Sequence, residues 1–375
     1  MHRPTAALIA LLLIPAAPAA AKPNKHVCGA VPAGSARCHA RVVTDAKGDP
    51  AVTPAPNGYG PADLQAAYQL PSATGGSGQT IAIVDAYDDP NAAADLAKYR
   101  STYGLTACGS GCFTKVNQNG STTGLPKANG GWAQEISLDL DMASAVCPNC
   151  KILLVEASSS SFTNLAAAEN TAAGLGATVI SNSYGGNEFN GEATYQSSFD
   201  HPGIPITVSS GDSGYGVEFP AASQYVTAVG GTSLTKSASG VFSEKAWSGA
   251  GSGCSAYIAK PSWQSDTGCP RRTVADVSAV ADPNTGVAVY DSYRYQGRAG
   301  WMVFGGTSVA APVVASVYAL AGNAAAPSYP YAHAGSLTDV TSGSNGSCTV
   351  AYLCTSGTGF DGPTGLGTPI GSAAF

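Results

Sequence analysis

The sequence predicts an α/β fold, a parallel sheet with helices on both faces, in a single domain. Three observations lead there. From Asn57 onward, short apolar runs alternate with helix-length stretches, the order that builds a parallel sheet. The runs are apolar throughout rather than at every second position, as in strands buried on both sides. A hydrophobic content of 44% in 375 residues is ample for a large core.

The elements follow in order. Pro61 to Tyr68 (PADLQAAY) reads as a short helix with proline near its start. Thr80 to Val84 is a buried-strand run, and Pro90 to Tyr99 a helix. Trp132 to Val146 is a longer helix, Lys151 to Val155 a strand, Phe162 to Ala173 a helix and Ala177 to Ser181 a strand. Glu192 to Phe199 reads as a helix and Ile204 to Ser209 as a strand. The chain is then rich in Gly and Ser, with short strands and turns to about residue 300, before a last helix at Thr307 to Leu320. No internal repeat is evident.

Ahead of this pattern, residues 1–21 read as an export signal. His2 and Arg3 precede an apolar core from Ala6 to Leu13, and Ala19-Ala20-Ala21 offers small residues for cleavage. Residues 22–56 are rich in Pro, Ala and Gly without periodicity and read as an extended leader or linker, so the folded domain is expected over 57–375. The cysteines fall as neighbours: Cys28 and Cys38, Cys108 and Cys112, Cys147 and Cys150, Cys254 and Cys269, Cys348 and Cys354. In an exported chain this suggests disulfides closing short loops. Cross-pairing between the 108/112 and 147/150 clusters, or zinc held by them, remains open at this point.

Composition limits the partners. Only 11% of residues are charged, against roughly 25% in an average soluble protein. A net charge of −6 without a basic run argues against nucleic acid. Few carboxylates means little folding energy lost on their protonation, which is compatible with acid.

Three segments carry chemistry. In Gly305-Gly306-Thr307-Ser308-Val309-Ala310-Ala311-Pro312, a serine stands in the first turn of an apolar helix, where the helix N-terminus favours developing negative charge. An ordinary N-cap would explain the hydroxyl alone, but the whole octapeptide resembles the nucleophile segment of subtilisin-like folds. The usual histidine base is missing: none of the five histidines lies in an HGTH-type segment, and His26 and His39 fall in the leader. A carboxylate pair fills the gap. Glu135 and Asp139 are i, i+4 on the long helix and share one face, so they repel and can share a proton.

Glu135, Asp139, the later Ser210-Gly211-Asp212-Ser213-Gly214 and the GGTS serine together resemble the sedolisin family in order and spacing. The resemblance covers about residues 57–375 and implies a subtilisin-like sheet. It also implies an acid-acting serine-carboxyl endopeptidase with Ser308, Glu135 and Asp139 as triad. Asp212 then supplies the oxyanion hole, which requires it protonated, since only a neutral carboxyl donates a hydrogen bond. The GDSG at 211–214 also matches trypsin-like serine segments, but no A-A-H-C context accompanies it.

The resemblance further implies one structural Ca²⁺, held by the Asp339 and Asp361 side chains and the Val340, Gly357 and Gly359 carbonyls, an all-oxygen set. Ser183, Tyr184 and Gly185 follow a strand and are expected to pair with extended substrate. Asp85 or its rival Asp88 is expected to join the carboxylates. Most sedolisins carry a long folded prosegment; residues 22–56 are too few for one, so this leader is expected to be trimmed, or retained as a hairpin closed by Cys28 and Cys38. Polypeptide substrates, a monomer, and no membrane after signal cleavage complete the expectation. The rival readings are an inactive binding protein on a peptidase fold, a tripeptidyl-releasing exopeptidase, and an esterase or acyltransferase using the same serine.

Overall fold

Eight strands form the central sheet of the computed structural model, which describes residues 21–109 and 111–375. The export signal read over 1–21 therefore lies outside the described residues, except for Ala21. In chain order the strands are β1 (Thr80–Ala86), β2 (Phe113–Asn117), β3 (Lys151–Ala157), β4 (Val179–Asn182), β5 (Ile206–Ser209), β6 (Thr227–Lys236), β7 (Phe242–Ala246) and β8 (Val277–Val280). From one edge they run β2, β3, β1, β4, β5, β6; β8 and then β7 continue from successive parts of the long β6. Every pairing is parallel except β6 with β7.

The longer helices are α1 (Pro61–Ala67), α2 (Ala92–Thr102), α3 (Gly130–Val146), α4 (Phe162–Gly174) and α5 (Thr307–Ala321). α3 and α5 pack on each other and on the sheet, and α4 covers the other face against β1 and β3. α5 is apolar all round and is buried from Thr307 to Leu320, as such a helix must be. α3 is equally buried from Gly131 to Val146, yet carries Gln134, Glu135, Asp139 and Asp141. Burying so many polar groups without a polar partner layer is costly, which marks this helix as more than packing. Asn129 caps it, its side chain accepting from the Gly131 and Trp132 amides at 3.0 and 3.2 Å.

Three local readings change. The second helix begins at Ala92 rather than Pro90, and Glu192–Phe199 is a 3-10 helix. The Gly/Ser-rich region before residue 300 holds long strands, including Val287–Tyr295 and Arg298–Gly305. Residues 22–56 are not without regular structure. Asn24–His26 pairs with Arg41–Val43, which pairs with Arg298–Gly305, while Arg37–Cys38 pairs with Tyr184–Asn187. All five disulfides join sequence neighbours, so neither cross-pairing nor a zinc site at Cys108, Cys112, Cys147 and Cys150 occurs. Among the described residues no helix is long and apolar enough to cross a membrane.

Candidate active site

Ser308 stands at the second position of α5, one residue after Thr307, and the helix is preceded by Gly306, whose φ of +100° is left-handed and favours glycine. Proline four residues on matters here. Pro312 has no N–H, so the Ser308 carbonyl lacks its helical donor. The Ser183 hydroxyl lies 3.4 Å from that carbonyl and 2.9 Å from Asp139 Oδ1, and can donate to either. The Ser308 hydroxyl in turn donates to the Ser183 carbonyl at 3.3 Å.

α3 presents its carboxylates to this serine. Glu135, Asp139 and Asp85, which stands near the end of β1, are all fully buried. Burial pushes Glu135 well above the usual carboxyl range, reinforced by Asp139; the Ser308 hydroxyl and the Ala40 amide offset this in part. Burial and then Asp85 push Asp139 up. Burial, Glu135 and Glu156 do the same for Asp85. Both Asp85 oxygens, Glu135 Oε1 and Asp139 Oδ2 lack hydrogen-bond partners among the described residues. Each of these three carboxyls is thus favoured in its protonated form. Asp88 is elsewhere: it pairs with Lys115 Nζ at 2.5 Å and is partly exposed. Of the two rivals, Asp85 is the one beside this group.

Across the serine, Asp212 Oδ1 accepts from the Thr307 amide at 2.7 Å and the Thr307 hydroxyl at 2.9 Å. Its Oδ2 is buried without a hydrogen-bond partner among the described residues. Burial lifts this carboxyl to about 6, against the nearby His39 and the Thr307 bonds. A Cβ on Gly306 would stand 2.6 Å from Asp212 Oδ2 and overlap the His39 carbonyl oxygen, so only glycine lets these groups meet.

Residues 37–40 are the part that sequence reasoning missed. The His39 amide donates to the Ser183 carbonyl at 3.1 Å, the same acceptor used by Ser308. The Ala40 amide donates to Glu135 Oε2 at 2.8 Å. The His39 ring is fully buried, with Nδ1 2.7 Å from Ser209 Oγ and Nε2 2.8 Å from Glu218 Oε2. Both ring nitrogens are occupied and neither bonds Ser308. Gly185 admits this ring, since a Cβ there would lie 2.8 Å from His39 Cε1. Ser183, Tyr184 and Gly185 therefore face residues 37–39, with Tyr184 and Gly185 opposite Cys38 and Arg37 in antiparallel register. The Cys28/Cys38 spacing was the one local cue to this arrangement.

At the carboxyl end, Asp339 and Asp361 converge on one glycine loop. Gly359 N donates to Asp339 Oδ2 at 2.8 Å and Gly357 N to Asp361 Oδ2 at 3.0 Å. Asp361 is buried, which raises it to about 6. The Val340, Gly357 and Gly359 carbonyls accept no hydrogen bond among the described residues. Two carboxylates and three carbonyls are hard oxygen donors of the class Ca²⁺ takes, and Asp361 also accepts from Ser356, Gly357 and Thr364. A separate buried cluster, Asp89, Asp95 and Asp291, lies near Lys115, which donates to the Asp89 carbonyl at 2.7 Å.

Known proteins resemble this chain in sequence and in fold. The subtilase family profile matches residues 127–346. Kumamolisin of Bacillus sp. (strain MN-32) is 31% identical over 90% of the chain, and sedolisin of Pseudomonas sp. (strain 101) 29% identical over 83%. The chain spans 67% and 60% of those two proteins' lengths. In three dimensions it is similar to Pseudomonas sedolisin, a serine-carboxyl proteinase solved with two molecules of pseudo-iodotyrostatin. The TM-score there is 0.72 at 28% identity, covering 84% of this chain and 96% of that one. Fervidolysin from Fervidobacterium pennivorans, related to subtilisin, shares the fold with a TM-score of 0.53 at 18% identity, covering 84% of this chain and 45% of that one. By family profile, sequence identity and fold together, the chain belongs to the sedolisin family of the subtilases.

Proposed function

We propose that this chain is an exported endopeptidase that works in acid through an acyl-enzyme on Ser308. The observation that carries this reading is the placement of Ser308 between Glu135 with its buried partners Asp139 and Asp85 on one side and the unpartnered Asp212 Oδ2 on the other. Glu135 takes the serine proton as the hydroxyl attacks, then returns it to the leaving nitrogen. Asp139, one turn along α3, keeps its proton beside Glu135 and is itself held by Ser183. Protonated Asp212 donates to the oxyanion.

The pH sense follows from Asp212. It is a donor only while protonated, so activity falls as pH rises through about 6. The carboxyl group of three titrates as a unit, so in acid its first ionisation supplies one base while the remaining protons stay bound. Internal rather than terminal cleavage is favoured by the course of residues 37–43, which run through the site with chain on both sides of Ser308. Five disulfides support folding in an oxidising compartment, in line with the signal read over 1–21.

The test is digestion of an unfolded protein between about pH 3 and 8. Wild type is expected to be most active in acid, with Ser308→Ala and Glu135→Gln each reduced by about 10³-fold or more. An optimum above about pH 8, or full activity in either variant, would sink the reading.

We further propose that Asp339, Asp361 and the Val340, Gly357 and Gly359 carbonyls hold one Ca²⁺ whose role is structural. Bound cation would offset the charge of the buried Asp361 and tie the terminal loop. Chelation at pH 7 is expected to lower Tm by several degrees, restored by Ca²⁺ and absent in Asp361→Asn. An unchanged Tm after chelation would remove the site.

A further inference from the structure

Away from the reacting serine, four buried carboxyls meet where α2, α3 and the strand Val287–Tyr295 pack on one another. Asp89 lies between β1 and α2, Asp95 on α2, Asp141 on α3 and Asp291 on the strand. One oxygen from each of Asp89, Asp95 and Asp291 lies within 4.8 Å of the other two. A main-chain amide fixes one oxygen of every carboxyl. Asn91 N donates to Asp89 Oδ1 at 2.9 Å and Ser292 N to Asp95 Oδ2 at 2.7 Å. Tyr290 N donates to Asp141 Oδ2 at 3.0 Å and Tyr293 N to Asp291 Oδ1 at 2.8 Å. The other oxygens are poorly supplied. Asp89 Oδ2 has the Ser137 hydroxyl at 3.4 Å, while Asp291 Oδ2 and Asp141 Oδ1 have no donor among the described residues.

A second sign comes from α3. Gln134 is fully buried and lies against Asp291, yet its Oε1 also lacks a donor among the described residues and its Nε2 faces the Met302 sulfur at 3.8 Å. Burial pushes Asp141 well above the usual carboxyl range; the Tyr290 bond offsets this, and the charges of Asp95, Asp291 and Asp89 add to it. Buried acceptors gathered in this number need protons or a cation. Lys115 does not serve as that cation. Its ammonium donates to Asp88 Oδ1 and to the Asp89 carbonyl and lies 3.7 Å from Glu156 Oε1. Among the described residues none of the four carboxyls has a salt bridge.

We infer that Asp89, Asp95 and Asp291 hold a buried divalent cation of the size of Ca²⁺, distinct from the terminal-loop site, with Asp141 and Gln134 as adjoining oxygen donors. Oxygens that bind Ca²⁺ at about 2.3–2.6 Å lie within about 5.2 Å of one another, and the three carboxyls meet that limit without moving. Mg²⁺, at about 2.0–2.1 Å, needs a tighter octahedron. The ion joins α2, α3 and the strand at one point. Gln134 directly precedes Glu135 on α3, and the strand is paired with Arg298–Gly305, which leads to the helix of Ser308. One cation thus braces the supports of both the base and the nucleophile. All its ligands are buried, so it leaves only when α2 parts from α3. Brief chelation that strips the terminal loop, where Asp339 and Gly359 are exposed, leaves it in place.

The experiment counts calcium per chain by elemental mass spectrometry at about pH 7, on full-length protein produced in Ca²⁺, before and after brief chelation. Wild type is expected to carry two ions and to keep one. Asp361→Asn should carry one throughout. Asp95→Asn/Asp291→Asn, in which asparagine can keep each anchored oxygen, should carry one and lose it to the chelator. An Asp361→Asn protein with no calcium, or an unchanged count in Asp95→Asn/Asp291→Asn, overturns the inference. Because the double variant could fold poorly, anomalous scattering from wild-type crystals grown in Ca²⁺ at the same pH gives a second arm. A peak between Asp89, Asp95 and Asp291 is expected. A peak only between Asp339 and Asp361 overturns this inference and leaves the terminal-loop site standing. Peaks at neither place overturn both.

Discussion

At the scale of single residues, Asp212 decides the pH range. Its Oδ1 is fixed by two bonds from Thr307, so only Oδ2 is free to act. Asparagine can keep the accepting oxygen in place and put a permanent N–H where the proton must be. Asp212→Asn should therefore lose the fall in activity above about 6, retaining at pH 7 a larger share of its own acid maximum than wild type does. A kcat/KM profile that drops at the same pH in both enzymes would show that another group sets that limb. Residues of this kind were partly legible in advance. Ser308, Glu135, Asp139 and Asp212 stand in local motifs whose spacing carries meaning. Asp85 against Asp88 did not, because which carboxyl points inward depends on where β1 ends. His39 carried no local sign beyond the neighbouring Cys28/Cys38 spacing, since its partners Ser209 and Glu218 lie 170 and 179 residues away.

Elements show the same division. α3, α4 and α5 were readable because each is long, apolar in pattern and capped or bounded by recognisable residues. Asn24–His26 and Arg41–Val43 were not: three residues cannot display a period, and the second strand's partner lies beyond residue 297. The approach to β8 offers a test of element-scale energetics. Arg272 and Asp276 are both fully buried and paired through both guanidinium amines. Asp276 also accepts from the Ala228 amide on β6 at 2.7 Å. Arg272→Met leaves that carboxylate buried without its cation and should cost about 3–5 kcal/mol in urea unfolding. Arg272→Met/Asp276→Asn removes the stranded charge, keeps the acceptor for Ala228, and should recover part of the loss. A cost under about 1 kcal/mol for Arg272→Met would mean that the pair does not hold β8 to β6.

The whole molecule is built around carboxyls that prefer to keep their protons. Burial raises Asp89 to about 7, Glu169 and Asp291 to about 8, and Glu156 to about 9. In the unfolded chain these groups titrate near 4. Below that range both states are protonated and the fold has its full stability. As pH rises, the unfolded chain releases protons that the folded one must keep, so stability declines until the folded values are passed. Tm should therefore be highest near about pH 4 and fall steadily toward pH 8. A Tm that rises over that interval would contradict the buried-carboxyl account. The low overall charge visible in the composition pointed toward acid tolerance, but the mechanism lies in burial, which composition does not reveal.

The disulfides have a consequence for the chain as a connected object. Their sequence separations are 10, 4, 3, 15 and 6, and no ring encloses or interlocks with another. Covalently the protein is an open string with five small eyelets. A single backbone break outside an eyelet divides it into two molecules that separate in detergent with no reducing agent present.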